Sequence, residues 1–239
     1  MKLSIVIPIY NEARTARELL DRVLGVELPI EREVLVVESG STDGTREIVE
    51  EYAARGGVRA IHQSRPRGKG NALKEGLRAA TGDIILIQDA DLEYDVKDYP
   101  ELLEPILKGK ASFVLGSRHL GCHDWMYRKF IDDAFYARVI NFGALFYTGL
   151  FNRLHGLSLT DPATMYKVFR RECVEGIRWR CDYFDLDWEI VAKLVRRGHV
   201  PVEVPVNYVS RSVADGKKIR FWRDGFLVLR AILRFRWFD

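Results

Sequence analysis

Three carboxylates lie close together where an apolar segment of the sequence ends. Asp89 and Asp91 directly follow Ile84–Gln88, and Glu93 comes two positions later. The apolar run is typical of a strand that is buried on both faces of a parallel sheet. Open α/β sheets bind their ligands at the carboxyl ends of such strands. We therefore expect the three carboxylates at a ligand site on one edge of a sheet.

The spacing of these acids also suggests what the ligand is. Two carboxylates so close together repel each other, and their burial is costly unless a cation neutralises them. Oxygen ligands of this kind suit Mg²⁺ or Mn²⁺, which also hold substrate phosphates. We predict that Asp89, Asp91 and Glu93 hold Mg²⁺ or Mn²⁺. The Asp-x-Asp pattern taken alone is equally compatible with a solvated acidic loop.

Length and composition are those of one sizeable globular domain. The chain has 239 residues, of which 47% are hydrophobic and 30% charged, and its formal net charge of +3 gives no global field that points to nucleic acid. The scattered Cys122, Cys173 and Cys181 form neither a disulfide framework nor a zinc motif and suggest a reducing, cytoplasmic compartment. Leu3–Ile9 follows the start without a signal-peptide pattern, and no apolar run reaches the ~18 residues of a membrane span.

The positions of the motifs follow from the alternation of strands and helices in the first half, which predicts an α/β fold with a parallel sheet. The expected strands are 3–9, 33–37, 58–62, 84–88 and 112–116, and the expected helices are 12–24, 45–55 and 71–80. Asp98 is expected to cap a further helix at Pro100. In the second half, we expect a packed core helix over 134–150, a strand near 164–169, a helix over 187–197 and a strand over 202–208.

The motifs occur in an order that resembles family 2 inverting glycosyltransferases, especially the branch of dolichyl- and polyprenyl-phosphate mannose synthases. The matching segments are 6–12, 37–45, 67–72, 82–83, 89–93, 116–118, Glu189, 203–208 and a basic loop from Arg211 to Lys217 and Lys218. The resemblance implies a GT-A fold, a nucleotide-binding αβα sandwich with an acceptor-binding half. We predict a single domain over 1–239, with a nucleotide-sugar half (1–117) and an acceptor half (118–239).

The resemblance also implies a set of donor contacts. Pro8, Tyr10 and Glu12 follow the first strand, where they can hold a base and a ribose. Glu38 is expected at the same rim, where family members usually carry two Asp residues and this chain has Glu38 and Ser39. The Gly-rich segment around Lys69 can meet a diphosphate through backbone N–H groups, and Lys217 belongs to the basic loop. Segment 41–45 is as well explained by turn and capping chemistry.

The acceptor contacts follow from the arginines. Arg118 comes just after a strand, and Arg128 with Lys129 lies beside Trp125. In the lipid-phosphate branch, arginines at these places hold the acceptor phosphate, and Arg suits bidentate binding of phosphate oxygens. A Ser common in that branch is replaced here by Asp132.

The C-terminal segment is the second sign of a lipid partner. Residues 211–239 contain eight basic and three acidic side chains. On a helix over 219–238, one face would carry Trp222, Phe226, Leu229, Leu233 and Trp237, flanked by arginines. Such a segment is typical of a helix that lies on an anionic membrane. The alternative is that it packs on the domain or forms a dimer interface.

Together, these features predict a metal-dependent transfer of a hexose from a nucleotide sugar, of GDP-mannose or UDP-glucose type, to a polyprenyl phosphate. Asp91, Arg118, Arg128 and Asp161 are the expected catalytic residues, at the cytoplasmic face of a membrane. A hydroxyl acceptor would instead require a carboxylate base, with Asp161, Asp132 or Asp187 as candidates. A non-catalytic nucleotide-sugar-binding protein is the third alternative. A dinucleotide oxidoreductase is disfavoured, because no GxGxxG follows a strand. A nucleotidyltransferase is disfavoured as well, because its Gly-rich loop should follow the first strand, where this chain has Pro-Ile-Tyr-Asn-Glu.

Overall fold

The computed structural model describes residues 1–120, 134–210 and 221–238, which fold around one seven-stranded sheet. The strands are β1 (Lys2–Ile9), β2 (Glu31–Glu38), β3 (Arg59–His62), β4 (Ile84–Ile87), β5 (Phe113–Ser117), β6 (Lys167–Arg170) and β7 (Val202–Pro205). The helices are α1 (Ala13–Gly25), α2 (Thr45–Ala54), α3 (Lys69–Ala79), α4 (Tyr99–Leu107), α5 (Ala134–His155), α6 (Leu186–Arg196) and α7 (Phe221–Trp237). The predicted α/β alternation is confirmed.

The sheet has the order β3-β2-β1-β4-β6-β5-β7. β1 pairs in parallel with β2 and β4, β2 with β3, and β5 with β7. β6 is antiparallel to both of its neighbours, β4 and β5. The prediction of a parallel sheet therefore holds except for this strand, which the chain reaches only after α5. A mainly parallel sheet with helices is the arrangement that places strand ends together at one edge.

The central strands are held rigidly by apolar burial. β1, β2 and β4 contribute fully buried side chains such as Ile5, Leu35 and Ile85. Helix α1 packs against the core through Ala16, Leu19, Leu20 and Val23, the spacing of one apolar helix face. Because the strands are fixed on both faces, the loops at their carboxyl ends start from well-defined positions.

One local prediction in the first half is wrong in its chemistry. Asp98 occupies the position before α4, but its side chain makes no capping hydrogen bond. Its carboxylate instead accepts hydrogen bonds from the backbone N–H of Asn207 at 2.8 Å and from the amide Nδ2 at 2.6 Å. A tertiary contact with the segment after β7 has therefore replaced the local cap.

Helix α5 differs from the expected packed core helix. It runs on to His155, and Ala137, Ile140 and Phe151 are buried. Phe142 and Phe146, however, are 69% and 56% exposed. The helix therefore buries one face and leaves large apolar side chains on the other.

Helix α7 also has two apolar faces. Val228, Ala231, Ile232 and Phe235 are buried, at the spacing of one helix face. Phe226 and Trp237 from the predicted apolar face are 67% and 58% exposed. The helix thus packs on the domain and still presents apolar side chains outward. Within the described ranges, no helix combines the length and apolar character needed to cross a membrane.

Candidate active site

A cavity of about 730 Å³ lies at the carboxyl ends of β1 and β4. Eight residues that the sequence singled out line its wall, namely Pro8, Tyr10, Glu12, Lys69, Asp89, Asp91, Glu93 and Arg118. They come from four separate segments of the first half and its boundary. The strand order explains why they meet, since β1 and β4 are neighbours in the sheet.

Asp89 is paired with Lys69 inside this cavity. The Lys69 Nζ lies 2.5 Å from one Asp89 carboxylate oxygen and 2.7 Å from the other. Burial raises the pKa of Asp89, and Asp187 and Glu93 add to this effect while Lys69 opposes it. Burial alone would lower the pKa of Lys69, but Asp89, Asp187 and Asp91 raise it above its ordinary value. The pair therefore keeps a cation directly on the Asp-x-Asp motif.

The segment after Asp89 turns sharply and is tied to the second half. Leu92 has a φ of 60°, a left-handed conformation that costs on the order of 1–3 kcal/mol for a non-glycine residue and is concentrated at functional sites. The turn lets the Glu93 N–H donate to Asp91 Oδ1 at 3.1 Å. The Tyr208 hydroxyl donates to Glu93 Oε2 at 2.6 Å. The orientation of Glu93 is therefore set from both sides.

Arg118 is held by a buried bidentate ion pair. Its Nε and Nη2 donate to the two carboxylate oxygens of Asp161 at 2.6 and 2.8 Å. Burial would raise the pKa of Asp161, but Arg118 lowers it below its ordinary value. The rings of Tyr94 and Tyr208 lie 5.9 and 5.2 Å from the guanidinium carbon. Glu203 in turn accepts the Asp161 N–H at 2.8 Å, so the arginine is fixed by successive layers of contacts.

Asp161 and Glu38 lie behind the wall rather than on it. Asp161 is 2% exposed, with both carboxylate oxygens bound to Arg118. Glu38 is fully buried, and its Oε1 accepts the N–H of Ser41 at 2.5 Å. Its other oxygen lies 3.6 Å from the Nδ1 of His62, while the neighbouring Ser39 lines the cavity. The proton transfer and donor contact expected of these two residues stay predictions.

Segment 41–45 is occupied by turn contacts that join two loops. Asp43 accepts hydrogen bonds from the N–H of Ala13 at 3.0 Å and of Thr45 at 3.1 Å. The Thr45 hydroxyl accepts the N–H of Glu12 at 2.9 Å. The turn chemistry considered for this segment is thus present and holds Glu12 in place beside the cavity, while the helix that follows has no side-chain cap.

The Gly-rich loop is packed tightly against a segment from the second half. Gly68 has a φ of +104°, and a Cβ there would lie 2.3 Å from the carbonyl oxygen of Asp182 and 2.7 Å from the ring of Tyr183. A Cβ at Gly70 would lie 2.8 Å from the backbone of Asp182. Both glycines are thus required by close backbone approach. The loop carries Lys69 into the cavity because segment 182–183 supports it from behind.

A second, apolar groove of about 430 Å³ adjoins the charged cavity. Helices α5 and α7 provide most of its wall, including the exposed Phe142, Phe146 and Phe226. Ala163, Phe184 and Asp187 line both spaces. Asp187 is also 3.2 Å from the fully buried Lys167 Nζ, whose pKa is lowered by burial. Asp187 is thus the carboxylate at the junction of the two spaces.

Several residues of the cavity were not predicted as contacts. The cavity is also lined by four residues of the second half, Met165, Tyr183, Phe184 and Arg223. None of them directly follows a predicted strand, so no signal in the sequence indicated their position. The 1–117 and 118–239 segments therefore share one cavity. Arg128, Asp132 and Lys217 lie outside the described residues, and their predicted roles stay predictions.

The fit to a divalent metal rests on the donor chemistry of the cavity. Asp89, Asp91, Glu93 and Asp187 provide only carboxylate oxygens, the ligands of Mg²⁺ and Mn²⁺. In the described ranges, no three His, Cys, Asp or Glu side chains are already gathered in a metal-holding arrangement. Lys69 lies on Asp89 instead. The residue types fit a hard cation, and Lys69 now supplies the positive charge.

An open α/β sheet with a charged cavity at its strand ends is the arrangement in which α/β proteins bind their ligands. The sequence model of the family described as Glycosyl transferase family 2 matches residues 4–178 of this chain. The chain therefore belongs to glycosyl transferase family 2, as the ordered motifs predicted.

Two curated relatives have names that concern lipid phosphates. The dolichol-phosphate mannosyltransferase of Pyrococcus furiosus is 29% identical over 91% of this chain. The undecaprenyl-phosphate 4-deoxy-4-formamido-L-arabinose transferase of Photorhabdus laumondii is 29% identical over 90% of it. The chain spans 59% of the length of the first relative and 62% of the second.

Solved structures confirm the GT-A-type fold. The glucosyl-3-phosphoglycerate synthase of Mycobacterium tuberculosis, in complex with Mn²⁺, uridine diphosphate and phosphoglyceric acid, matches with a TM-score of 0.73 and 18% identity. The match covers 100% of this chain and 79% of that one. The same enzyme was also solved with Mg²⁺ and uridine diphosphate and matches at a TM-score of 0.72 with 20% identity, over 100% of this chain and 80% of that one.

Proposed function

We propose that this chain transfers a hexose from a nucleotide sugar, of GDP-mannose or UDP-glucose type, to a polyprenyl phosphate with inversion. The observation that carries the proposal is the junction of the charged cavity and the apolar groove at Ala163, Phe184 and Asp187. A polyprenyl phosphate has a charged head and an apolar chain, and these two parts match the two spaces. The names of the two lipid-phosphate transferases among the relatives support the same acceptor.

The donor would bind in the first half of the chain. Pro8, Tyr10 and Glu12 line the cavity beyond β1 and are assigned to the base and ribose, with Glu38 supporting the loop behind them. Lys69 and the backbone of its Gly-rich loop are assigned to the diphosphate, because N–H groups and cations stabilise phosphate oxygens. We assign Lys217 of the basic loop to the same phosphates.

Asp89 and Asp91 would hold Mg²⁺ or Mn²⁺, with Glu93 beside them. When bound, such a metal neutralises the negative charge that develops on the departing nucleotide diphosphate. Lys69 contributes charge to the same place, and its ammonium lies close enough to Asp89 to exchange between carboxylate and phosphate. Positioned charges that act on the transition state are the largest single contribution in many enzymes.

The acceptor phosphate would be bound by Arg118 together with Arg128. A phosphate is already ionised, so its oxygen attacks the anomeric carbon without a general base, and attack opposite the leaving diphosphate inverts the configuration. In this mechanism Asp161 positions Arg118, because its two oxygens already bind that guanidinium. A hydroxyl acceptor is the competing possibility, and Asp187, which is buried but lines both spaces, is then the candidate base at the junction.

We also propose that the enzyme works at the cytoplasmic face of a membrane as a peripheral protein. Phe142 and Phe146 of α5 and Phe226 and Trp237 of α7 are exposed, and arginines flank the apolar face of α7. Apolar side chains with basic neighbours favour anionic lipid surfaces. In this arrangement the groove between the helices would open toward the lipid.

A transfer assay with product analysis tests the proposal. GDP-mannose and UDP-glucose are each offered with a short polyprenyl phosphate or with a plain sugar acceptor, with Mg²⁺, Mn²⁺ or EDTA. We expect a lipid-phosphate hexose product only with divalent metal, and a loss on the order of 10²–10³-fold in rate for Asp91→Ala, by analogy with loss of one electrostatic stabiliser.

The variant Asp187→Asn distinguishes the acceptors. With a phosphate acceptor, Asp187→Asn retains the pH dependence of the wild-type rate, since no base is needed. With a hydroxyl acceptor, the rate rises with pH through the pKa of the base and collapses in the variant that lacks it. Full activity in EDTA or in Asp91→Ala would contradict the metal, and transfer to the plain sugar alone would contradict the lipid.

A further inference from the structure

Helix α7 sends one arginine into the charged cavity. Arg223 lines the cavity wall although it lies in the C-terminal segment, far from the motifs of the first half. Its guanidinium carbon lies 4.5 Å from the ring centroid of Tyr183, another residue of the wall. The side chain is 42% exposed. The amphipathic pattern of the sequence predicted only that this arginine lies beside the apolar face of a helix, and it did not predict a place in the cavity.

Two neighbours hold the guanidinium in place. Its Nε and Nη2 lie 2.9 and 2.8 Å from a single oxygen of Asp224, which is 4% exposed. The Tyr183 ring covers one face of the plane. A guanidinium has five N–H donors, of which Asp224 engages two, so donor capacity remains on a side chain that lines the cavity.

The support for Arg223 also supports the Gly-rich loop. Tyr183 belongs to the segment that packs on Gly68, where an added Cβ would approach its ring to 2.7 Å. Arg223, Tyr183 and Lys69 all line this cavity. Arg67 lines the same cavity, so cations from both halves surround the space assigned to phosphates.

We propose that Arg223 binds a phosphate oxygen in this cavity and that Tyr183 and Asp224 position it. The inference rests on the proposed function and extends it to a residue of the C-terminal helix. A planar guanidinium that is stacked on an aromatic ring and tethered at one edge is suited to directional binding of phosphate. The phosphate belongs either to the donor diphosphate or to the acceptor, and the experiment distinguishes them.

Binding of UDP and GDP with Mg²⁺ is measured by calorimetry, and the KM for a short polyprenyl phosphate is measured in the transfer assay. Arg223→Ala is compared with Arg223→Lys and with Arg230→Ala, a matched arginine on the exposed surface of the same helix. We expect Arg223→Ala to weaken the binding of one of the two phosphate ligands by roughly tenfold, which corresponds to about 1.4 kcal/mol. Arg223→Lys keeps the charge without the planar fork and should recover only part of it.

The loss of Arg223 also removes a partner of the buried Asp224. The double variant Arg223→Ala/Asp224→Asn, compared with Asp224→Asn alone, separates phosphate binding from this local effect. If nucleotide binding is weaker in both comparisons, Arg223 binds the donor diphosphate. If the KM for the acceptor rises while nucleotide binding is unchanged, Arg223 binds the acceptor phosphate. If wild type binds its phosphates and both Arg223 comparisons leave them unchanged, the inference is overturned. If wild type binds neither ligand, the proposed function fails, and the inference with it.

Discussion

The two halves of the chain build their shares of the cavity in different ways. In the first half, Tyr10 and Asp89 lie within a few residues of strand ends, so the parallel pairing of β1 with β4 alone brings them together. In the second half, the contacts depend on residues far apart in sequence, such as Arg118 and Asp161, which are separated by 43 positions. Strand pairing therefore places the first-half wall of the cavity, and a buried ion pair fixes Arg118 on the other wall.

Breaking the buried pair is the severest test of this difference. Asp161→Ala leaves the buried guanidinium of Arg118 without its carboxylate, and removal of one partner from such a pair costs about 3–5 kcal/mol. Urea unfolding of the variant measures this cost. The control is Glu51→Ala, which breaks the solvent-exposed pairs with Arg17 and Arg55 in the first half, and exposed pairs contribute little.

Asp161→Ala should also lose affinity for the acceptor phosphate while nucleotide binding remains, since Asp161 acts through Arg118. If Asp161→Ala is no less stable than Glu51→Ala, the buried pair does not hold the second half together. Loss of stability with unchanged acceptor affinity would limit Asp161 to a structural role.

The Gly-rich loop is the place where the two halves meet, and Gly68→Ala tests that contact. The new Cβ would lie 2.3 Å from the carbonyl oxygen of Asp182, in a backbone with φ of +104°. We expect a loss of roughly 1–3 kcal/mol in the free energy of unfolding and weaker nucleotide binding, because the loop must move away from segment 182–183.

Gly109→Ala provides the matched control for that substitution. Gly109 has a φ of +68° but no neighbour within 4 Å of the added Cβ, so it carries the backbone strain alone. A difference in stability between the two variants measures the clash together with the greater backbone strain at Gly68, whose φ of 104° and ψ of 155° lie in a region that is essentially restricted to glycine. Equal losses, with unchanged nucleotide binding, would show that the loop does not depend on the second half.

The same contrast explains how far the sequence could predict the molecule. Strand periodicity and turn residues determine local structure, so β1 to β4 and the placement of Asp89 and Lys69 were predictable. Asp98 was assigned to a helix cap because capping is a local pattern, whereas its partner Asn207 lies 109 positions away. Tyr183 and Arg223 carry no motif, and their places on the wall follow from how α6 and α7 pack.

The orientation of β6 was unpredictable for a related reason. A strand of four residues carries no directional signal in its sequence, and β6 pairs antiparallel with both β4 and β5. The orientation of Glu38 depends on geometry at a smaller scale. Its strand was located correctly, but the side chain turns inward to the N–H of Ser41, a choice that depends on the geometry of one turn.

The outer face of α7 offers a test confined to the second half. The double variant Phe226→Ser/Trp237→Ser removes two exposed aromatic side chains without touching the buried face. If this face lies on lipid, we expect roughly 30-fold weaker binding to anionic vesicles, since partial burial of aromatic surface contributes on the order of 1 kcal/mol per side chain, or about 2 kcal/mol for the two. Vesicle co-sedimentation at rising salt measures it, because the basic flanks make the attraction sensitive to ionic strength.

Val200→Ser is the control, as Val200 is 56% exposed on the same half but lies outside α5 and α7. Vesicle binding that is equal in the double variant and in Val200→Ser would contradict a lipid-facing α7. Nucleotide binding should be the same in all of these proteins, because none of the substituted side chains lines the charged cavity.

The smallest effect concerns His155 at the end of α5, where burial, with Arg236 and Arg196, lowers the pKa to about 4. The unfolded chain takes up its proton near the ordinary value of about 6.5, so between these limits the unfolded state binds more protons than the folded one. Stability should therefore fall as the pH drops through this window, by less than about 1.4 kcal/mol per pH unit because the ring is partly exposed.

Urea unfolding at several pH values should show a smaller loss for His155→Asn than for wild type. Arg236→Gln should raise the pKa of the folded-state His155 slightly and so narrow the pH range over which stability falls, since it removes a secondary cause of the lowered pKa and leaves burial unchanged. Parallel pH profiles for wild type and His155→Asn would mean that the imidazole titrates alike in both states and that the end of α5 is less firmly packed than the described contacts indicate.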